Sequence, residues 1–179
     1  MSAWRILVTG GVRSGKSRYA EERLAGETRV RYLAPGPIPD PRHDPEWAAR
    51  IAAHQARRPP HWATSETADL AGALRGADTA VLIDCLGTWL TRRIDDLDGW
   101  ERPPEVWAPD FQGGLDDLVD AWRGLDHPGV AVTNEVGWGV VPAYASGRLF
   151  ADLLGRVNQA VAAASDEVVL LVAGRALRL

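Results

Sequence analysis

The chain has 179 residues, 46% hydrophobic and 25% charged, which predicts one globular domain over residues 1–179. Its formal net charge is −4, so the chain lacks the overall positive charge that is typical of nucleic-acid-binding proteins. No apolar run approaches the roughly 20 residues that a membrane span needs. The single cysteine, Cys85, excludes an internal disulfide framework and fits the reducing cytoplasm. A first strand expected soon after Met1 predicts that there is no signal peptide.

The first element is a short apolar strand over residues 5–9, followed by a glycine-rich loop and a helix to about residue 24. Glycines let backbone N–H groups turn toward phosphate oxygens, and the helix N-terminus adds partial positive charge. Lys16 is expected to reach the β- and γ-phosphates of a nucleotide, and the Ser17 hydroxyl to bind Mg²⁺. The loop fits the phosphate-loop pattern G-x-x-x-x-G-K-[ST] with Gly10, Gly11, Val12, Arg13, Ser14, Gly15, Lys16 and Ser17.

Lys16 is also the only lysine in the chain, because every other basic residue is an arginine. Arginine is a planar fork, whereas lysine carries a compact charge on a thin stem that fits inside such a loop. Together with the flanking strand and helix, this favours a triphosphate-binding loop over a chance match in a glycine turn.

Beyond the loop, strand and helix patterns alternate along the chain. Strands are predicted at 29–34, 80–83, 129–133 and 168–173, and a terminal hairpin strand at 175–179. Helices are predicted at 44–57, 66–74, 86–94, 115–125 and 143–164, with a proline-rich loop at 35–41 and an excursion or lid at 95–114. This order predicts an α/β fold with a mostly parallel sheet, helices on both faces and a short antiparallel C-terminal strand.

Ligands of such sheets bind at the carboxyl edge of the strands, where three polar residues are expected. Asp84 ends an apolar strand, where an acid of a phosphate-loop enzyme binds Mg²⁺ through water, although an ordinary strand-end acid also fits. Asn134 and Glu135 follow another buried strand and could orient a water, a hydroxyl or a base. Simple turn chemistry explains them equally well.

His54 lies on the predicted 44–57 helix, with Arg50, Arg57 and Arg58 at helical spacing around it. Nearby cations disfavour the imidazolium form, so this histidine is expected to be neutral and nucleophilic near pH 7. A packed or solvent-facing histidine beside surface arginines is the alternative, and His61 is a rival. The four histidines and one cysteine show no metal-ligand spacing.

Several segments together resemble one family, the bifunctional adenosylcobinamide kinase / adenosylcobinamide-phosphate guanylyltransferases of cobalamin assembly. The resemblance is strongest at ILVTGGVRSGKSRYAE (residues 6–21), TNEVGWGVVP (133–142) and GRVNQ (155–159), and it includes RIxxHxxxRPxxW (50–62) and Asp84-Cys85-Leu86. The chain departs from the family pattern at Pro35, at Gln55-Ala56-Arg57 and at Ala151.

The resemblance implies a phosphate-loop, RecA-like fold, a homotrimer and two reactions. ATP or GTP phosphorylates the aminopropanol hydroxyl of adenosylcobinamide, and GMP from GTP then passes through a guanylylated histidine to give adenosylcobinamide-GDP. The family's nucleophile falls on His54. Its nucleotide contacts fall on the loop Gly10–Ser17 and on Ala34, Pro35, Gln55, Ala56, Arg57, Arg58, Glu66 and Asp84. Asn134, Glu135 and Arg156 are candidates for substrate or phosphate contacts.

Two other functions fit the phosphate loop. One is a small-molecule kinase with a single activity, in which His54 is inert. The other is a non-catalytic nucleotide switch, against which stands the absence of an Asn-Lys-x-Asp guanine-reading motif. Guanine preference therefore depends on the family resemblance.

Overall fold

The structure, a computed structural model, describes residues 3–37 and 42–179, without the side chains of Trp47, Arg50, His54 and Arg57. Strands and helices alternate as the sequence predicts. The elements are β1 (Arg5–Gly10), α1 (Lys16–Arg23), β2 (Val30–Ala34), α2 (Pro45–Arg57), β3 (Ala63–Glu66), α3 (Leu70–Arg75), β4 (Ala80–Asp84), α4 (Leu86–Asp96), α5 (Pro104–Arg123), β5 (Gly129–Val132), α6 (Ala145–Ala163), β6 (Glu167–Val172) and β7 (Arg175–Arg178).

The strands form one seven-stranded sheet in the order β3-β2-β4-β5-β1-β6-β7. All neighbours are parallel except β6 and β7, which form an antiparallel hairpin. Ala173 (φ 49°) and Gly174 (φ 78°) join the two strands with left-handed backbone, as a tight hairpin turn requires. The predicted sheet class and its antiparallel C-terminal strand are thus confirmed.

Alternate residues of the central strands face opposite sides of the sheet. On one side, Leu7, Leu33 and Ile83 pack against buried side chains of α3, α4, α5 and α6. On the other, Ile6, Val8, Leu82 and Val130 form a smaller cluster with Ala20 of α1 and Leu24. Both faces are therefore covered, and the open part of the sheet is its carboxyl edge.

The prediction of a helix over residues 66–74 is wrong at its start, because 63–66 form the strand β3 and the helix begins at Leu70. β3 is short and polar, and it pairs only with β2 at the sheet edge. Such a strand lacks the apolar alternation that identifies strands in sequence. Asp69 caps the helix, since its Oδ1 accepts a hydrogen bond of 2.8 Å from the Gly72 N–H.

The expected excursion at 95–114 is also different, because α5 is continuous from Pro104 to Arg123 despite Pro109 and two glycines. Five of its large side chains are buried, namely Trp107, Phe111, Leu115, Leu118 and Trp122. Burial of each stabilises by about 1.5–3 kcal/mol, which outweighs about 3 kcal/mol for an internal proline and about 1 kcal/mol for each glycine. Hydrophobic packing overrides the local helix breakers here.

Part of the predicted loop at 35–41 lies outside the described residues. Within residues 3–37 and 42–179, no helix combines the length and the apolar character needed to cross a membrane.

Candidate active site

Three central strands bring the predicted site residues to one edge of the sheet. Val8 of β1 lies opposite Val132 of β5, and Val132 lies opposite Asp84 of β4. The chain continues from these positions into the phosphate loop after β1 and to Asn134 after β5. Parallel register therefore places Asp84 and Asn134 beside the loop.

The phosphate loop has the backbone that its glycines allow. Gly10 has φ 146° and Gly15 has φ 100°, a region that side-chain-bearing residues rarely adopt. A Cβ at Gly10 would also lie 2.4 Å from the Leu171 carbonyl oxygen of β6. On the other side, the Gly174 N–H donates to the Ser14 carbonyl at 2.9 Å. The loop is thus held against β6 and the β6–β7 turn.

Lys16 begins helix α1 and folds back over the loop. It is only 7% exposed, and its Nζ donates to the Gly11 carbonyl at 2.7 Å. Ser14 Oγ is buried and makes no hydrogen bond within the described residues. Because buried polar atoms are normally paired, this hydroxyl is suited to an oxygen-rich ligand such as phosphate.

A cavity of about 800 Å³ opens at this edge of the sheet. Among the residues singled out from sequence, its lining includes Arg13, Ser14, Gly15, Lys16, Ser17, Ala34, Gln55, Arg58, Glu66, Asp84 and Asn134. Gly10, Gly11, Val12, Pro35, Ala56, Glu135 and Arg156 lie outside that lining. Arg156 instead donates to Gln112 Oε1 of α5. The structure therefore joins loop, β2, α2, β3 and β4 around one space.

Helix α2 contributes one wall of the cavity, through Glu46, Ala49, Ile51, Ala53 and Gln55. The backbone of His54 lies between the last two of these lining residues. The side chains of His54 and Arg57 are outside the described part of the chain, so their predicted roles stay predictions.

Sequence reasoning missed Tyr32, which joins two predicted site residues. Its hydroxyl donates to Asp84 Oδ2 at 2.7 Å, and the Arg58 guanidinium carbon lies 3.4 Å from its ring centroid. Burial, followed by the charge of Asp84, raises the pKa of Tyr32 far above the usual range of tyrosine. In the sequence, Tyr32 reads only as an alternate core position of a strand, and no motif distinguishes it.

Cys85 follows Asp84 at the edge of the cavity. Burial, followed by the neighbouring Asp84 carboxylate, raises the pKa of the Cys85 thiol. The Thr88 hydroxyl donates to the Cys85 carbonyl at 2.8 Å at the start of α4. A protonated thiol in this position is a packing group rather than a nucleophile.

A second, partly buried hydrogen-bond network joins β1, the residues that follow β5 and helix α6. Glu135 Oε1 accepts from the Thr9 hydroxyl at 2.7 Å and from Asn158 Nδ2 at 3.3 Å. Asn158 Nδ2 also donates to the Asn134 carbonyl at 3.0 Å, and its Oδ1 accepts from Thr133 at 2.6 Å. Asn158 of α6 thereby fixes the 134–135 turn against β1. Asn158 lies in the GRVNQ segment that carries the family resemblance, but no pattern in the sequence specifies this hydrogen-bonding role.

Ser17 and Asp84 both line the cavity and offer a hydroxyl and a carboxylate oxygen. These hard oxygen donors fit Mg²⁺, which keeps several waters and binds one or two carboxylates together with substrate phosphates. Across residues 3–37 and 42–179, no three His, Cys, Asp or Glu side chains are grouped as a metal site.

Comparison with known families decides how this cavity is to be interpreted. Residues 6–179 match the family model described as cobinamide kinase / cobinamide phosphate guanyltransferase. The chain belongs to this family. The match extends over the phosphate loop, α2, Asp84 and the 133–142 segment, so the resemblance noted in the sequence is confirmed.

Curated relatives agree with the family match. The chain is 43% identical to the bifunctional adenosylcobalamin biosynthesis protein CobU of Salmonella typhimurium, with 94% of this chain and 96% of the relative covered. It is 39% identical to the bifunctional adenosylcobalamin biosynthesis protein CobP of Pseudomonas aeruginosa, with 95% of this chain and 94% of the relative covered. A kinase and guanylyltransferase family is therefore established for this chain.

Solved structures confirm the predicted phosphate-loop fold. An ATPase from a type III secretion system superposes with a TM-score of 0.58 at 11% identity, covering 94% of this chain and 51% of the ATPase chain. The ATPase EscN of enteropathogenic E. coli gives a TM-score of 0.56 at 12% identity, covering 96% of this chain and 43% of the EscN chain. At such low identity the likeness concerns the fold alone.

Proposed function

We propose that this chain phosphorylates adenosylcobinamide with ATP or GTP and then transfers GMP from GTP to the product, giving adenosylcobinamide-GDP. The observation that carries the proposal is that the phosphate loop and helix α2, which bears His54, border one cavity in a member of this family. We infer that one domain, residues 1–179, supports both reactions.

In the first reaction, the aminopropanol hydroxyl releases its proton and its oxygen bonds to the γ-phosphorus, while the bond from that phosphorus to the β-phosphate oxygen breaks and the nucleoside diphosphate leaves. The N-terminal N–H groups of α1 and the Lys16 ammonium offset charge on the β- and γ-phosphates. Ser17 and Asp84 would hold Mg²⁺, which would neutralise phosphate charge. The Ser14 hydroxyl, which is buried in the cavity lining and has no hydrogen bond within the described residues, supports a phosphate at this end.

In the second reaction, a ring nitrogen of His54 attacks the α-phosphorus of GTP, and the bond to pyrophosphate breaks. The phosphate of the phosphorylated cobinamide then attacks the same phosphorus and frees the histidine. A covalent intermediate divides one difficult transfer into two displacements. Arg58, with its Nε buried in the described structure without a hydrogen bond, offsets charge on the α-phosphate.

Among the remaining predicted nucleotide contacts, Ala34, Gln55 and Glu66 line the cavity, whereas Pro35 and Ala56 do not. We propose that Ala34, Pro35, Gln55, Ala56 and Arg57 border the nucleotide. The carboxylate of Glu66 accepts hydrogen bonds from the guanine edge. We propose that Asn134, which follows β5 and lines the cavity, contacts the phosphates, and Glu135 and Arg156 stay predictions for substrate contacts.

We propose a homotrimer in the cytoplasm. The segment 136–144 exposes five large apolar side chains, namely Val136, Trp138, Val140, Val141 and Tyr144. Contiguous exposed apolar surface of this kind marks protein interfaces. This segment follows Asn134 and Glu135, so a neighbouring subunit there would lie close to the substrate.

The guanylyl-enzyme step has a direct test. The protein is incubated with GTP labelled at the α-phosphate and Mg²⁺, quenched, and examined for acid-labile, alkali-stable label. We expect label on the parent and on His61→Ala, and none on His54→Ala. His61 is the matched control because it is exposed and outside the cavity lining. Label on His54→Ala, or none on the parent, would overturn the step.

Lys16→Arg tests the kinase step. Arginine keeps the charge but is too wide for the position that Lys16 Nζ occupies beside Gly11. We expect phosphoryl transfer to fall by at least about 100-fold, as for loss of one charge-stabilising group. A variant with full kinase activity would show that the loop does not bind the transferred phosphate.

A further inference from the structure

We propose that Tyr32 is a positioning residue shared by both reactions, holding Asp84 on the metal side and Arg58 on the guanylyl side. The inference rests on the proposed function and adds a residue to its site. It assigns two separable tasks to one side chain: the hydroxyl serves Asp84 and the ring face serves Arg58.

The geometry of the hydroxyl supports the first task. Tyr32 is 2% exposed, and its hydroxyl donates to Asp84 Oδ2 at 2.7 Å. A phenol is protonated at neutral pH, so the Tyr32 hydroxyl donates to the carboxylate, which can only accept. A fixed donor on one carboxylate oxygen sets the rotation of the carboxylate and so the direction of its other oxygen. Partners of this kind commonly change metal affinity by about 10–100-fold.

The geometry of the ring supports the second task. The Arg58 guanidinium carbon lies 3.4 Å from the Tyr32 ring centroid, and Arg58 Nη1 donates to Thr64 Oγ1 of β3 at 3.0 Å. These two contacts hold the plane of the guanidinium while its Nε is left without a hydrogen bond in the described structure. A flat aromatic face and a single side-chain acceptor thus orient the planar fork for a phosphate.

Tyr32→Phe and Tyr32→Leu separate the two tasks. Phenylalanine removes the hydrogen bond to Asp84 but keeps the ring beneath Arg58, whereas leucine removes both. Tyr19→Phe is the matched control, because Tyr19 packs against the same core cluster and lies outside the cavity lining. Denaturant unfolding of each variant checks that it is folded, and Tyr32→Met replaces the leucine variant if the latter is unstable.

The first measurement is Mn²⁺ binding in the presence of GDP, followed by electron paramagnetic resonance, which needs no catalysis. We expect binding about tenfold weaker in both Tyr32→Phe and Tyr32→Leu, and unchanged in Tyr19→Phe. The second measurement is the rate of α-phosphate labelling at saturating Mg²⁺. We expect Tyr32→Phe to keep the parent rate and Tyr32→Leu to lose about tenfold, in line with a lost desolvated cation–π contact.

Parent-like Mn²⁺ binding by Tyr32→Phe, or parent-like labelling by Tyr32→Leu, would overturn the proposal. Equal loss of labelling in both Tyr32 variants would overturn it as well, because the ring would then have no separate task. A parent protein that takes no label contradicts the proposed function instead. In that case the Mn²⁺ measurement alone decides whether Tyr32 positions Asp84.

Discussion

Asn158 of α6 connects its helix to the residues that follow β5 through hydrogen bonds. Its amide makes three hydrogen bonds, to Thr133, to the Asn134 carbonyl and to Glu135, which is itself bound to Thr9. A side chain that both donates and accepts is needed at its centre, because Thr133 donates and the other two partners accept.

Asn158→Asp is expected to lower the free energy of unfolding at neutral pH by about 2–4 kcal/mol, since a carboxylate would face Glu135 and the Asn134 carbonyl. Two adjacent carboxylates raise one pKa in the folded state above its unfolded value near 3.9. The folded state then binds more protons, so the deficit relative to the parent shrinks as the pH falls toward that raised pKa. Urea unfolding at pH 7.5 and pH 5.5 measures this.

Asn158→Leu is the control for that experiment. Leucine removes the hydrogen bonds without adding an acid, so its deficit is expected to change little between the two pH values. A deficit of Asn158→Asp that is equally independent of pH would contradict the hydrogen-bond arrangement.

Tyr32 gives a prediction at alkaline pH. Its folded pKa is raised, so the folded state keeps a proton that the unfolded state loses above its ordinary pKa near 10. The stability due to this group is present below that pH and falls by about 1.4 kcal/mol per pH unit above it. Urea unfolding of the parent between pH 9 and 11, compared with Tyr32→Phe, isolates the effect. Identical pH dependence of the two proteins would contradict the buried, protonated phenol.

Helix α5 shows a conflict between local and tertiary preferences. Pro104 occupies the first position of the helix, where proline is favourable, whereas Pro109 is exposed in its interior, where proline removes a hydrogen bond. The helix is nevertheless continuous because its apolar face is buried against the core.

Pro109→Ala is therefore expected to raise the free energy of unfolding by about 1–2 kcal/mol. Restoring the hydrogen bond and removing the ring clash outweigh the greater freedom of the unfolded chain, which costs about 0.4–1 kcal/mol. Pro104→Ala is the matched control and is expected to be neutral or slightly destabilising. Thermal and urea unfolding measure both, and a Pro109→Ala protein less stable than the parent would be the contrary result.

Most elements could be predicted from sequence because their signals are local. The phosphate loop, the apolar strands β1, β4 and β5 and the proline start of α2 are examples. Strand β3 could not be predicted, because a polar edge strand forms only through its hydrogen bonds to β2. The first half of α5 could not be predicted either, because Pro109 and two glycines are local helix breakers, whereas the core contacts that compensate for them are distant in sequence.

The candidate site divides in the same way. Lys16 could be predicted because it belongs to the phosphate-loop motif, and Asp84 and Asn134 because they lie at or just after the end of an apolar strand. The sheet brings all three to one cavity. The role of Tyr32 could not be predicted, because it comes from contacts with Asp84 and Arg58, which are far from it in sequence. Side-chain contact across strands has no signature in a single sequence.

For the whole molecule, the exposed segment 136–144 predicts how subunits assemble. Trp138 is 70% exposed and Val140 is 96% exposed. Trp138→Asp is expected to convert the proposed trimer of 19.4 kDa chains into monomers, because a desolvated carboxylate at an interface is strongly unfavourable. Sedimentation velocity measures the change.

Val106→Asp is the control for assembly. Like Trp138, Val106 is an exposed apolar residue, with 50% of its surface accessible, but it lies on α5, outside the segment 136–144. We expect this variant to sediment with the parent. A monomeric parent would contradict the trimer, and a trimeric Trp138→Asp would move the interface elsewhere.

The solitary lysine has a practical consequence for chemical labelling. Lys16 bears the only side-chain amine among 179 residues and is 7% exposed beside Gly11. Amine-directed reagents therefore have a single side-chain target, and it lies inside the phosphate loop. The yield of that one adduct, read by intact-protein mass spectrometry with and without nucleotide, gives an occupancy assay that needs no engineered probe.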